Sequence, residues 1–161
     1  MLAETLGKGN AMRKLIIMLV LFTSTCLCAA QDITGFWTTI DDETKQPKSI
    51  VRIYMHDGKA YGRVVKLFNN PDATAKNVVG SPKILGLDIL WDMQDSGDKF
   101  KGGAILDPKK GKVYNCEIWR DGDNLIVRGK IAFFGRNQTW LPSAGFQPAA
   151  NAPVPQKPVM E

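Results

Sequence analysis

Val113-Tyr114-Asn115-Cys116-Glu117-Ile118-Trp119, then Asp121-Gly122-Asp123, then Asn124-Leu125-Ile126-Val127-Arg128-Gly129-Lys130-Ile131 is the stretch on which the fold turns. In its first run Tyr114, Cys116 and Ile118 share one face, while Asn115 and Glu117 share the other. In its second run Leu125, Val127, Gly129 and Ile131 align against Arg128 and Lys130. A period of two with a single apolar face marks an antiparallel strand with one side on a core. Asp-Gly between two such runs tolerates the positive φ of a hairpin turn. The stretch therefore predicts two neighbouring antiparallel strands.

The pattern extends in both directions. Upstream, residues 35–40 read as a first strand, ended by Asp41-Asp42-Glu43-Thr44 and Pro47. Residues 49–55 form a second, His56-Asp57-Gly58-Lys59 a hairpin turn, and 60–68 a third. Strands at 84–93 and 99–106 follow, separated by Asp95-Ser96-Gly97-Asp98 and closed by Asp107-Pro108-Lys109-Lys110-Gly111. These connections are rich in the residues that favour turns. Downstream, residues 133–140 complete eight strands. A meander of this kind leaves two exposed edges unless it closes on itself. The expectation is an all-β, eight-stranded antiparallel up-and-down barrel over residues 31–141. Such a barrel has room inside for side chains or for one small ligand.

Three segments depart from the rhythm. The strand from Ile50 carries Arg52 and Tyr54 on the same face as Ile50, so either both faces are covered or Arg52 points at a polar element inside. Residues 69–82, fourteen in all, show no period and are either a binding loop or lid or a surface insertion. Residues 142–161 are rich in proline, which cannot donate to a ladder, and predict an extended, flexible tail.

The N-terminus reads differently. Met12-Arg13-Lys14 precedes eight apolar residues, Leu15-Ile16-Ile17-Met18-Leu19-Val20-Leu21-Phe22, and Cys28-Ala29-Ala30 precedes Gln31. A basic start, a short apolar run and a small-residue exit predict an export signal cleaved after Ala30. Residues 1–11 form an upstream extension, and the destination is the periplasm. The apolar run is too short to span a bilayer. Cys28 follows Leu27 and Cys26 follows Thr25, neither the setting of a lipidated cysteine, so no lipid anchor is expected. The exported chain keeps Cys116 alone. A disulfide within it is therefore excluded, and on an apolar strand face the thiol should be buried.

Composition narrows the function classes. With 44% hydrophobic and 23% charged residues, the 161-residue chain has the balance of a folded domain. Loss of three cations and one acid with the signal takes the net charge from +5 to +3. Lys109, Lys110 and Lys112 cluster at one turn, but no stripe of aromatics interleaves with cations, so nucleic acid is not an expected partner. His56, the single histidine, sits in a turn and lacks the enclosure of a general base. Asp92, Asp95 and Asp98 lack the spacing and closing glutamate of a calcium loop. No metal, cofactor or catalytic residue is expected.

Gly35-x-Trp37 opens the first strand. In order after it stand Lys48-Ser49-Ile50-Val51, Tyr61-Gly62-Arg63-Val64, Ile84-Leu85-Gly86-Leu87, Gly103-x-Ile105-Leu106-Asp107-Pro108, Gly111-Lys112-x-Tyr114-x-Cys116, Leu125-x-Val127-Arg128-Gly129 and Phe134-Gly135-Arg136-x-Gln138-x-Trp140. Over residues 33–141 this string resembles domain-of-unknown-function family 2147 (DUF2147), small secreted bacterial proteins with a lipocalin-like (calycin) barrel. The resemblance implies that fold and compartment, and ligand binding only by analogy with lipocalins. Family members often carry cysteines in the loop after the third strand; residues 69–82 have none. By the same analogy Gly35 and Trp37 close the barrel bottom, with Arg136 packed on the indole. The alternative for Arg136 is to anchor a ligand carboxylate.

The expected cavity wall is Tyr54, Tyr61, Trp91, Tyr114, Phe134 and Trp140, unless these aromatics simply fill a core. The leading functional reading is a periplasmic barrel that binds a small hydrophobic or amphipathic molecule. The alternative is an envelope protein-interaction module with a filled barrel, docking its partner through the tail or a strand edge. Catalysis ranks third and would need a reactive Cys116.

Overall fold

Cys116 stands opposite Gly129 and Ile118 opposite Val127, so the alternation of these strands meets face to face. The computed structural model describes residues 31–146 and 153–161. The expected export signal lies outside the described residues. Eight antiparallel strands run β1 (Gly35–Ile40), β2 (Pro47–His56), β3 (Lys59–Leu67), β4 (Asp88–Asp95), β5 (Phe100–Asp107), β6 (Lys112–Asp121), β7 (Asn124–Ile131) and β8 (Phe134–Pro142). Each pairs with the next, and β1 pairs with β8 to close a barrel. Among the described residues there is no helix.

The fourth strand begins later than the apolar run suggested. Gly86 takes a positive φ of 91°, and Leu87 N–H donates to Ile84 O, so 84–87 form a turn ahead of β4. Gly103 marks the tightest approach between strands. A Cβ there would lie 2.2 Å from Trp91 O and 2.6 Å from Met93 Sδ, so only hydrogen fits.

The two barrel ends differ. One holds residues 31–34 and the turns after β2, β4 and β6. Here Trp37 and Ile33 are buried, and Trp37 Nε1–H donates to Ile33 O at 2.9 Å. Gly35 takes φ 126°, a conformation other residues rarely adopt, which turns the chain into β1 beneath the indole. The cation on Trp37 is Arg120, whose guanidinium lies 4.8 Å from the ring centroid. The expected partner, Arg136, is at the far end. Antiparallel succession explains the correction: the end of β6 and the start of β1 share the closed end, while β8 starts at the open one. Arg136 there pairs with Asp42 at 3.2 Å.

β2 is covered on both faces. Ser49, Val51 and Ile53 face the interior beside Trp37, and Arg52 and Tyr54 face outward beside Arg63 and Tyr61. Part of the expected tail covers the outer face. Residues 153–161 lie along the outside of β2–β4 as a strap. Asp88, fully buried, accepts from Arg63 Nε at 2.9 Å, Arg63 Nη2 at 2.7 Å, Tyr54 Oη at 3.0 Å and the Gln156 amide at 2.7 Å. Arg63 Nη2 also donates to Val154 O, and Lys157 reaches Asp92. The strap then bridges to the loop, Val79 N–H donating to Val159 O and Glu161 N–H to Asn77 O. A proline-rich segment docks in this way because its partners here are side chains and a loop, not a continuous ladder.

The 69–82 segment is likewise fixed. Ala75 and Val78 are buried, and Lys76 N–H donates to Pro108 O across to the β5–β6 turn.

Two outcomes test this arrangement. Arg120→Ala should cost about 1–2 kcal/mol through lost packing and cation–π contact, whereas Arg136→Ala, exposed, should stay within about 0.5 kcal/mol; urea melts of both variants decide. For the strap, burial raises the Asp92 carboxyl, but hydrogen bonds from Lys157 and Tyr61 and the charges of Lys157 and Lys59 outweigh it and hold the group below 3.8. A carboxyl with a depressed folded pKa stabilises above its unfolded value and stops doing so as pH falls through the folded one. Strap docking should therefore be complete at about pH 6 and weaken below about pH 4. Hydrogen exchange at Val79 and Glu161, measured against β6–β7 amides, should show selective loss of protection on acidification.

Candidate functional site

The barrel interior is not filled. A cavity of about 230 Å³ enters from the open end and reaches toward Trp140. Its wall is apolar, with Val64, Leu67, Ile105, Val127 and Trp140 among the lining residues. Inward parity explains the set: Leu125, Val127 and Gly129 of β7 face Trp140, Gln138 and Arg136 of β8. Gly129 leaves part of the space open, since a Cβ there would meet Tyr114 and Ile105 only at ordinary distances of 3.5–3.9 Å.

Polar groups are few and placed in sequence from depth to rim. Thr39 Oγ1 and Ser49 Oγ, both buried, share a hydrogen bond of 2.7 Å on the wall. Trp140 Nε1–H donates to Gln138 Oε1 at 3.4 Å, and Gln138 Nε2–H donates to Asp42 Oδ2 at 2.8 Å. The same Asp42 oxygen pairs with Arg136. Asp42 thus holds both Gln138 and Arg136 at the mouth. The Tyr114 hydroxyl has no hydrogen-bond partner among the described residues and is available to a guest. Lys48, Lys109 and Lys110 complete the rim.

The expected wall divides. Tyr114, Trp140 and Arg136 line the cavity. Tyr54 and Tyr61 do not, because the β2–β3 register turns them outward, where they stack at 5.9 Å and bond Asp88 and Asp92. Burial and the adjacent Asp88 carboxylate push the Tyr54 hydroxyl well above its ordinary value. Trp91, opposite Ala104, is half-buried against the core. Phe134 has inward parity but sits past the rim, 84% exposed. Sequence reasoning missed Thr39, Ser49, Gln138 and Asp42. Parity with Trp37 would have found Thr39, and parity with Trp140 would have found Gln138.

Cys116 is buried opposite Gly129, and burial with the neighbouring Glu117 charge pushes its thiol far up. His56 is half-exposed at the closed end, Nε2 lying 3.4 Å from Asp57 and remote from the cavity. No group of three or more metal-ligating side chains is assembled among the described residues.

Comparison with known proteins agrees with this geometry. The sequence profile of an uncharacterized protein family conserved in bacteria, DUF2147, matches residues 35–141. No curated protein matches the chain. Among solved structures, protein HP1028 from the human pathogen Helicobacter pylori, described as belonging to the lipocalin family, superposes with a TM-score of 0.61 at 20% identity, covering 71% of this chain and 84% of that one. That likeness extends to the fold.

A thiol so buried should be inert. Thiol-specific reagent at neutral pH should modify Cys116 at least about 100-fold more slowly in the native protein than in urea; comparable rates would return the thiol to the list of reactive groups.

Proposed function

The chain belongs to the DUF2147 family of bacterial proteins, and from that premise we propose that its barrel binds one small hydrophobic or amphipathic molecule in the periplasm, after cleavage behind Ala30. The observation that carries the reading is an apolar cavity inside a barrel that is open at one end and closed over buried Trp37 at the other.

Size limits the guest. About 230 Å³ exceeds the roughly 150 Å³ of a cavity that holds benzene and falls short of a drug-sized pocket. The fitting guest has on the order of ten to fifteen heavy atoms, or is longer with a part left in solvent. Burying about 200 Å² of its apolar surface contributes about 5 kcal/mol. That is near the low end of the association cost. The polar groups therefore decide affinity: the Tyr114 hydroxyl, the Thr39–Ser49 pair and the rim cations. A guest that leaves a polar head at the rim meets the rim cations. The alternative of a filled barrel docking through its tail is less well supported, since the interior is open and residues 153–161 are docked on their own barrel.

Native mass spectrometry of residues 31–161 from the producing organism should show a stoichiometric small-molecule adduct. Gly129→Val should abolish the adduct while leaving thermal stability within a few degrees, because the added Cβ meets Tyr114 and Ile105 only at ordinary contact distances. An apo mass that persists after incubation with envelope lipid extract would count against carriage.

A further inference from the structure

The open end carries an apolar tip that does not line the cavity. Ile131 pairs with Phe134, and the two-residue turn between them is Ala132-Phe133. Phe133 is 99% exposed, Phe134 84% and Ile131 57%. Such turns ordinarily take Gly, Asn or Asp, since positive φ is required. Here Ala132 takes φ 50° without that chemistry. Folding does not call for a hairpin tip built wholly of apolar side chains, and water is a poor solvent for it.

Beside the tip, the β5–β6 turn sets three lysines against one acid, Asp107. Lys109 and Lys110, both exposed, lie in the turn itself, and exposed Lys112 opens β6 beside β7. The acids at this end are partly offset by cations, Asp107 facing Lys110 at 4.0 Å, Asp42 facing Arg136 at 3.2 Å and Asp72 facing Lys83 at 2.8 Å, while Glu43 and Glu161 stand on the β1–β2 connection and the strap. Asp41, farther along the β1–β2 connection, accepts two amides and the Thr44 hydroxyl of its own turn. At the closed end the turns carry Asp57, Asp95, Asp98, Asp121 and Asp123, with Asp32 ahead of β1. The turns of the closed end are thus acidic, and the turn beside the apolar tip is basic. A field of this shape orients the mouth toward negative charge.

We propose that the open end docks on an anionic lipid bilayer, Ile131, Phe133 and Phe134 entering the headgroup–acyl boundary and Lys109, Lys110 and Lys112 meeting lipid phosphates. Apolar side chains flanked by lysines are the composition that lies in a membrane interface. The tip is convex and its rings project fully, which suits a deformable surface; a protein partner would have to offer a matching pocket. The proposal goes beyond cavity binding and stands without it, since docking needs no bound guest.

Residues 31–161 contain every strand and core residue among those described. This chain should co-sediment with vesicles of phosphatidylglycerol and phosphatidylcholine at about 3:7, and not with phosphatidylcholine alone. Phe133→Ser/Phe134→Ser should weaken binding at least about tenfold, with the melting curve unchanged because both rings are exposed. Lys109→Gln/Lys110→Gln, or about 0.5 M salt, should weaken it severalfold. Failure of the parent chain to bind anionic vesicles overturns the proposal. So does binding that survives loss of both phenylalanines. If those variants bind vesicles normally but lose a defined envelope protein, the tip is a protein contact and the lipid assignment is wrong.

Discussion

The join between β1 and β8 is short: Trp37 stands opposite Pro142 and Thr38 opposite Leu141, and Ser143 N–H extends it by donating to Phe36 O. These few bonds remove both free edges of an eight-stranded sheet. An edge left open would present unpaired amides and carbonyls to any other chain. Closure also creates the distinction between inside and outside on which every other feature depends. Once Trp37 is inward, the register commits Val51, Val127 and Trp140 to the interior and Tyr54 and Tyr61 to the exterior. A slip of one residue would exchange the two sets. The cavity, the strap site and the apolar tip are thus consequences of one register.

Inside and outside are then stabilised by different physics. The interior is apolar packing with a few hydroxyl and amide groups, and its openness depends on Gly129 and on the modest side chains around it. The exterior of β2–β4 is a polar network centred on a fully buried Asp88 with two donors on its barrel and one on the strap. Breaking such a network from one side is costly, because it leaves a carboxylate without its partners in a dry place. The strap is therefore part of the folded unit, although its composition is that of a linker.

How much of this was legible in the sequence follows from the range of each signal. Alternation and turn chemistry are local, and they yielded eight strands with boundaries within a few residues; the larger error, at 84–87, came from an apolar run that Gly86 bends into a turn. Inward and outward faces were readable wherever one face was polar, as for Tyr114 and Trp140. They were not readable for Tyr54 and Tyr61, because a strand covered on both sides carries no polar face to break the tie. The partner of Trp37 was misassigned because family analogy supplies a residue type, while which arginine reaches the closed end depends on strand direction. The docking of residues 153–161 was invisible for a different reason: proline content reports only that no ladder forms, and the site that receives them is built from β2, β3 and β4.

That last feature bears on the order in which the molecule can be completed. Gln156 and Asp88 are 68 residues apart, and Lys157 and Asp92 are 65 apart. Contacts so distant in sequence are entropically expensive to form early and contribute to slow folding. The barrel has all its strands before residue 143, so its ladders need nothing from the strap to close. Without the strap, Arg63 and Tyr54 are the only described partners left to Asp88. Until residues 153–161 are seated, the outer wall of β2–β4, with Asp88 at its centre, stays open to solvent.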